Sequence, residues 1–363
     1  MKKKKKPYFC AKQMHLIKVQ PMQININNTD VQTIEGETLL ETARRTGYSI
    51  PSLCYAKNAI HKASCMVCVV KDCSSGQIIP SCTTYPTDGM QFDTESDEVL
   101  MIRSLSLELL LSDHRADCEA PCSMVCPYGL EIEKMLELYD MDMHEEALAL
   151  IATSFSFPAL GCDNCKAPCE KICRRGSVDQ QVAIRAIIRA IVKMYESTAI
   201  NTETEIRKTD KSQFQSRLGR FTETEKNMLR DTENQKSILN LIQDKIQNSS
   251  RCLHCACAGR EGCKLRLYAT AAGIKRTRYE MSSALPVMKK IHVNGDMWFE
   301  PAKCIRCGLC VYNSNNGFTF RDRGFGVQVI IPDENRQNVN KELVDLCPTG
   351  ALYVKNSCGP CRS

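Results

Sequence analysis

The chain has 363 residues, of which 23 are cysteine against 6 histidine and 1 tryptophan, and its formal charge is +6. Without the cysteines the hydrophobic share of 43% falls to about 37%, lean for a chain of two or three domains that must offset the entropy of ordering itself. No run of 18 apolar residues exists, and Lys2 to Lys6 lead into Pro7-Tyr8 rather than an apolar segment, so neither a membrane span nor a secretory signal is expected, and the cytoplasm is the expected compartment.

In a reducing compartment cysteines in such number serve metals more often than disulfides, and an odd count cannot pair completely. Metal-bound thiols are deprotonated, which offsets the formal positive charge. Beyond the basic tail at 1–13 no basic stripe with interleaved aromatics occurs, so nucleic acid is not an expected partner.

After the tail, His15 to Val19 and Gln23 to Ile26 read as a strand hairpin, and Glu37 to Thr46 as a short helix with Leu39, Leu40 and Ala43 on one face. The first cysteine group follows: Cys54, Cys65, Cys68 and Cys82, spaced Cys-x10-Cys-x2-Cys-x13-Cys. Met66 to Val70, Ile78 to Ser81 and Met90 to Asp93 supply further strands, the makings of a small β-grasp unit over 14–96. Cys10 and Cys73 belong to no group. The stretches IPSLCYAKNAIHKASCMVCVV, PSCTTYPTDGMQFDTES and RSLSLELLLSDH resemble the N-terminal [2Fe-2S] domain shared by the large iron-sulfur subunit of respiratory complex I and by iron-only hydrogenases. The resemblance covers about residues 14 to 114 and implies a [2Fe-2S] centre on Cys54, Cys65, Cys68 and Cys82.

The second group runs His114-x3-Cys118-x3-Cys122-x3-Cys126-Pro127 and then Cys162-x2-Cys165-x3-Cys169-x3-Cys173, eight donors, enough for two cubane clusters. Glu131 to Leu138, His144 to Ala152 and Val182 to Met194 read as helices of a domain over 97–196. DCEAPCSMVCPYGLEIEKML and CKAPCEKICRRGSVDQQVAI resemble the helical two-[4Fe-4S] domain of dihydropyrimidine dehydrogenase and of the glutamate synthase small subunit. That resemblance implies one cluster sharing Cys118, Cys122 and Cys173 and another sharing Cys126, Cys165 and Cys169. His114 stands where the family has its first cysteine. Cys162 is the candidate for the remaining place, because Ile188 occupies the family's side-chain oxygen position.

Residues 197–250 read as a helical connector, with helices at Glu223 to Arg230 and Ser237 to Ile246. In 251–290 the third group, Cys252-x2-Cys255-x-Cys257-x5-Cys263, reads as one further [4Fe-4S] site with a zinc knuckle as the alternative, and His254 as solvent-facing. The fourth group, Cys304-x2-Cys307-x2-Cys310 with Cys347-Pro348, resembles a bacterial ferredoxin. Since only one such triplet exists, Cys347 is expected to close the same cluster, in a domain over 291–355 with strands near Gly317 to Phe320 and Val327 to Ile331 and a helix from Lys341 to Leu346. Cys358 and Cys361 fall in a tail at 356–363.

The expected fold class is therefore multidomain α+β: a β-grasp 2Fe-2S ferredoxin, an α-helical ferredoxin domain and a C-terminal ferredoxin-like domain. No GxGxxG follows a strand, no Walker loop occurs, no nucleophile stands apart from the cysteine groups, and only a short stretch follows Cys347. The resemblances thus imply an electron-transfer subunit with one [2Fe-2S] and about four [4Fe-4S] clusters and no substrate site of its own. Its expected partners are an NAD(P)H-oxidising flavoprotein and a further redox subunit or ferredoxin. The alternative is a zinc-rich structural or interaction protein.

Overall fold

The computed structural model describes residues 22–112, 114, 117–155, 162–195, 223–230, 251–259, 261–275, 279 and 290–355. The expected basic tail, the strand at His15 to Val19, the helix at Ser237 to Ile246, and Cys10, Cys358 and Cys361 lie outside them. The chain forms two compact units, one of Met1–Ile50 with Val70–Val99, the other of Pro51–Val69 with Leu100–Ser363.

The first unit carries β1 (Gln23–Ile26), β2 (Thr29–Gln32), β3 (Val69–Asp72), β4 (Ile78–Pro80) and β5 (Gln91–Asp93), in the sheet order β2-β1-β5-β3-β4. β1 lies antiparallel to β2 and parallel to β5, and β5 antiparallel to β3. Gln23–Ile26 thus forms a hairpin with the following strand, while the partner expected at His15 to Val19 lies outside the described residues. Asn27 and Asn28, at φ 49° and 62°, form the two-residue left-handed turn whose twist matches a right-handed strand pair. Ile24, Ile26 and Phe92 point into the core. The strand expected from Met66 begins only at Val69, because Met66 takes φ 54° and turns the chain between Cys65 and Cys68.

Helix α1 (Leu39–Arg45) starts from a capping box: the Thr38 amide donates to Glu41 Oε2 at 2.9 Å, and the Glu41 amide to Thr38 Oγ1 at 3.3 Å. Its first two amides reach outward, Leu39 to the Thr84 carbonyl and Leu40 to the Ser81 carbonyl. The helix start thus clasps the loop holding Cys82, which is fully buried.

α2 (Asp97–Ser112), most of it in the second unit, is a sixteen-residue helix not anticipated from its leucine-rich, weakly periodic sequence. Buried Arg103 donates from both Nε (3.0 Å) and Nη2 (2.7 Å) to the Val69 carbonyl, fixing the end of the Pro51–Val69 loop. α3 (Pro121–Met124), α4 (Ile132–Asp140), α5 (His144–Ser154), α6 (Pro168–Lys171) and α7 (Ile184–Met194) follow. Met135, Leu136, Ile151, Ile187, Ile188 and Ile191 form their common core. The helix expected at 223–230 is present. α8 (Lys264–Ala271) follows the third cysteine group.

The last segment has a three-stranded sheet, β6 (Ile291–His292), β7 (Met297–Phe299) and β10 (Leu352–Val354), in the order β10-β7-β6, and a separate ribbon of β8 (Thr319–Arg321) with β9 (Gln328–Ile330). α9 (Leu309–Asn313) and α10 (Glu342–Leu346) complete it. Asn313 ties the first cysteine loop to this segment, accepting from the Ile60 amide at 2.9 Å and donating to the Ile60 carbonyl at 2.8 Å. No helix among the described residues is long and apolar enough to cross a membrane.

Replacing Thr38 by Ala removes the cap over the Cys82 loop. A loss of about 1 kcal/mol is expected, read as a lower urea midpoint at unchanged slope.

Candidate metal centres

Twenty cysteines lie among the described residues, none in a disulfide, and all except Cys73 are buried or half-buried. In the first loop Cys54, Cys65 and Cys68 are buried, with the Cys54 and Cys65 sulfurs 3.3 Å apart and the Ser64 amide donating to Cys54 Sγ at 3.5 Å. The hydrogen bond to Cys54, with burial, drives the Cys65 thiol far above its ordinary pKa. Cys82 lies in the first unit, just past β4.

Cys126, Cys162, Cys165 and Cys169 form one set. Cys162 and Cys169 belong to the helical core, with Cys126 packed against them. Burial, then the charges of Cys126 and Cys165, push Cys162 up to about 11. Cys169 is pushed up to about 12 by burial, with Glu170, Cys126 and Cys165 adding to it. Arg185 donates to the Cys165 carbonyl at 3.3 Å and favours the Cys162 thiolate.

The other donors are gathered differently from the expected grouping. Cys122 and Cys173 line one small cavity, of about 20 Å³, together with Cys252 and Cys255, against Glu133 and Arg174. Burial, then the charges of Cys252 and Cys173, raise Cys122, and burial followed by Cys122 raises Cys255. Cys118 lies elsewhere, in a core with Cys263 and Leu111, and its carbonyl accepts from the Cys257 amide at 3.3 Å. This arrangement differs from the expected pairing of Cys118 with Cys122 and Cys173 and from the reading of Cys252, Cys255, Cys257 and Cys263 as one site. Spacing counts donors along the chain, whereas the fold turns Cys252 and Cys255 toward α3 and sends Cys257 and Cys263 to the Cys118 segment.

His114 is buried, its amide bonded to the Leu111 carbonyl at the end of α2, four residues before Cys118. Cys263 caps α8 and accepts from the Arg266 amide at 3.4 Å, a helix N-terminus that favours a thiolate. Burial nevertheless holds Cys263 up to about 11. Gly350 packs so closely that a Cβ there would overlap the Cys257 sulfur. His254 is not solvent-facing: it takes φ 44°, its Nδ1 lies 3.3 Å from Glu133 Oε1, and its amide donates to Cys252 Sγ at 3.4 Å.

Cys304, Cys307, Cys310 and Cys347 form the last set. Gly308 at φ 81° starts α9, which presents Cys310, and Cys347 ends α10. The Arg306 amide donates to Cys304 Sγ at 3.3 Å. Burial, opposed by that amide and reinforced by Cys347, holds Cys304 up to about 12, and burial with Cys304 and Cys347 raises Cys307 and Cys310 further.

The sets adjoin one another. The charge of Cys54 reaches Cys307, and that of Cys347 reaches Cys263. A buried Lys303–Glu300 ion pair at 2.8 Å lies beside Cys257, one residue before Cys304. Sequence reasoning missed this pair, since a Lys next to a cysteine ligand carries no pattern of its own.

Among the described residues no three His, Cys, Asp or Glu side chains gather tightly enough to share a single metal ion. A zinc ion needs its donors within about 2.3 Å of one point. The positive charge of a bound metal or cluster would offset the burial that opposes thiolates here.

Comparison with known proteins gives the same picture in pieces. Residues 19–97 match the family model of the 2Fe-2S iron-sulfur cluster binding domain, 112–200 that of dihydropyrimidine dehydrogenase domain II, 4Fe-4S cluster, and 297–354 that of the 4Fe-4S single cluster domain. The chain is thus a multidomain iron-sulfur protein with both helices and sheets, matching a 2Fe-2S domain and 4Fe-4S domains. It is 40% identical over 117 residues (31% of this chain, 19% of the other) to the NADP-reducing hydrogenase subunit HndD of Solidesulfovibrio fructosivorans. It is 33% identical over 122 residues (34% and 13%) to an NADH-quinone oxidoreductase subunit of Rhizobium meliloti. The chain spans less than a quarter of the length of these relatives. A crystal structure of an NAD+-reducing [NiFe]-hydrogenase in the H2-reduced state aligns over 93% of this chain and 88% of that one, at 15% identity and TM-score 0.48.

Replacing Gly350 by Ala drives a methyl group against the Cys257 sulfur while leaving every cysteine in place. Iron per chain is expected to fall by about four, with the absorption and EPR features of the Cys304 set retained.

Proposed function

We propose that this chain is a multi-cluster iron-sulfur electron-transfer subunit of an NAD(P)H-linked oxidoreductase. It relays single electrons between an NAD(P)H-oxidising flavoprotein and a further redox subunit or ferredoxin, in the cytoplasm. The observation that carries the reading is the run of adjoining thiol sets in the second unit, from Cys54 through the Cys304 and Cys257 sets to the Cys122 and Cys126 sets. The hydrogenase and NADH-quinone oxidoreductase relatives support the class of partner.

In this reading Cys54, Cys65, Cys68 and Cys82 hold a [2Fe-2S] cluster in a β-grasp domain over 14–96. About four [4Fe-4S] clusters take their ligands from His114 and the cysteines of the helical domain (97–196), of the 251–290 segment beyond the 197–250 connector, and of the ferredoxin-like domain (291–355). Each cluster, when bound, supplies a site that accepts and releases one electron. The chain's own residues set how readily it does so. The amides of Ser64, His254, Arg266 and Arg306 donate to ligand sulfurs and draw negative charge from them, which raises the potential. Arg185, Arg174 and Lys303 place cations beside the Cys162, Cys255 and Cys257 thiols in the same sense. Burial excludes water and keeps these charges effective.

The experiment is iron, acid-labile sulfide and zinc per chain on anaerobically purified protein, followed by mixing with an NADH-oxidising flavoprotein and NADH. About 18 irons with matching sulfide and no zinc, and bleaching of the visible absorption only with flavoprotein and NADH together, are expected. Zinc without sulfide identifies a structural zinc protein and sinks the proposal.

A further inference from the structure

We infer that the short cysteine run from Cys252 to Cys263 serves two different clusters: Cys252 and Cys255 complete a cluster with Cys122 and Cys173, while Cys257 and Cys263 complete the next one with Cys118. The inference rests on the electron-transfer reading and goes beyond it, since residues 251–290 lie outside all three matched stretches and the implied family pairing assigns Cys118 to the Cys122 cluster.

Three geometric observations carry it. Cys122, Cys173, Cys252 and Cys255 line one cavity, and Cys252 packs against the helical core beside Cys122 and Cys173. The Cys257 amide donates to the Cys118 carbonyl, and Cys118 shares a core with Cys263 rather than with Cys122. The turn between the two halves is built: left-handed His254 lies 3.3 Å from Glu133 on α4, Cys252 and Cys255 share their cavity with α3 and α4 residues, and the chain bends at Ala256.

The fourth place beside Cys118, Cys257 and Cys263 falls to buried His114, which the end of α2 sets against Leu111 in the same core. The consequence is mechanical as well as electronic. Residues 119–251 enter and leave through two adjoining clusters that share one ligand segment, so the helical domain is fastened to the C-terminal part by metal at its base.

The test is iron and sulfide per chain in double variants of the full chain beside their singles. Under the split, each single loses about four irons. C122S/C252S loses no more than its singles, while C252S/C257S and C118S/C122S each lose about eight. If C252S/C257S loses only about four and C122S/C252S loses about eight, the four cysteines form one site and the inference fails. Should a single variant shed more than one cluster, low-temperature EPR of the reduced protein decides. Cys122→Ser and Cys252→Ser perturb the same signal under the split, and different signals if it is wrong. Wild-type iron and sulfide, measured in the same series, separate the two readings. A full wild-type count with the wrong additivity overturns only the pairing, whereas a wild-type chain without sulfide overturns the electron-transfer reading itself.

Discussion

A thiolate can be buried beside other thiolates only if a cation lies among them, and the second unit is arranged around that constraint. Cys122, Cys252, Cys255, Cys304, Cys307 and Cys310 all sit where burial and one another's charge oppose ionisation. Metal binding requires the ionised form, so cluster assembly and folding are one equilibrium in such a chain. The lean hydrophobic composition then has a physical counterpart. Helices as short as Pro121–Met124 and Pro168–Lys171 could not hold their positions by apolar packing alone, and both end within two residues of proposed ligands.

The surroundings of the thiols are polar and paired rather than greasy. Arg174 bonds Asp117 at 3.0 Å next to the Cys255 site, Arg266 bonds Glu119 at 2.9 Å next to the Cys263 site, and Lys303 bonds Glu300 beside Cys257. Buried ion pairs of this kind are weak contributors to stability. Beside a cluster they fix a charge at a set distance, which is one way a protein adjusts the electronic step between one stop and the next.

The cysteine groups were legible because ligand spacing is local: CxxC-type intervals and the Cys-Pro ending announce donors wherever they occur. The helices Ile132–Asp140, His144–Ser154 and Ile184–Met194 were legible from their apolar faces. What spacing cannot encode is which group faces which. Cys118 and Cys257 meet only after a whole helical domain has been inserted between them, and His254 looked exposed until Glu133 was seen beside it. The Asn27-Asn28 turn of the observed hairpin was not read from the sequence, although its residues suit a two-residue turn.

The central claim, that clusters shared between distant segments build the second unit, is tested most directly by diffraction at the iron absorption edge from anaerobically grown crystals. The account predicts separate iron density within the Cys122, Cys173, Cys252 and Cys255 set and within the Cys118, Cys257 and Cys263 set. A single iron site surrounded by Cys252, Cys255, Cys257 and Cys263, or density at the zinc edge alone, would contradict it.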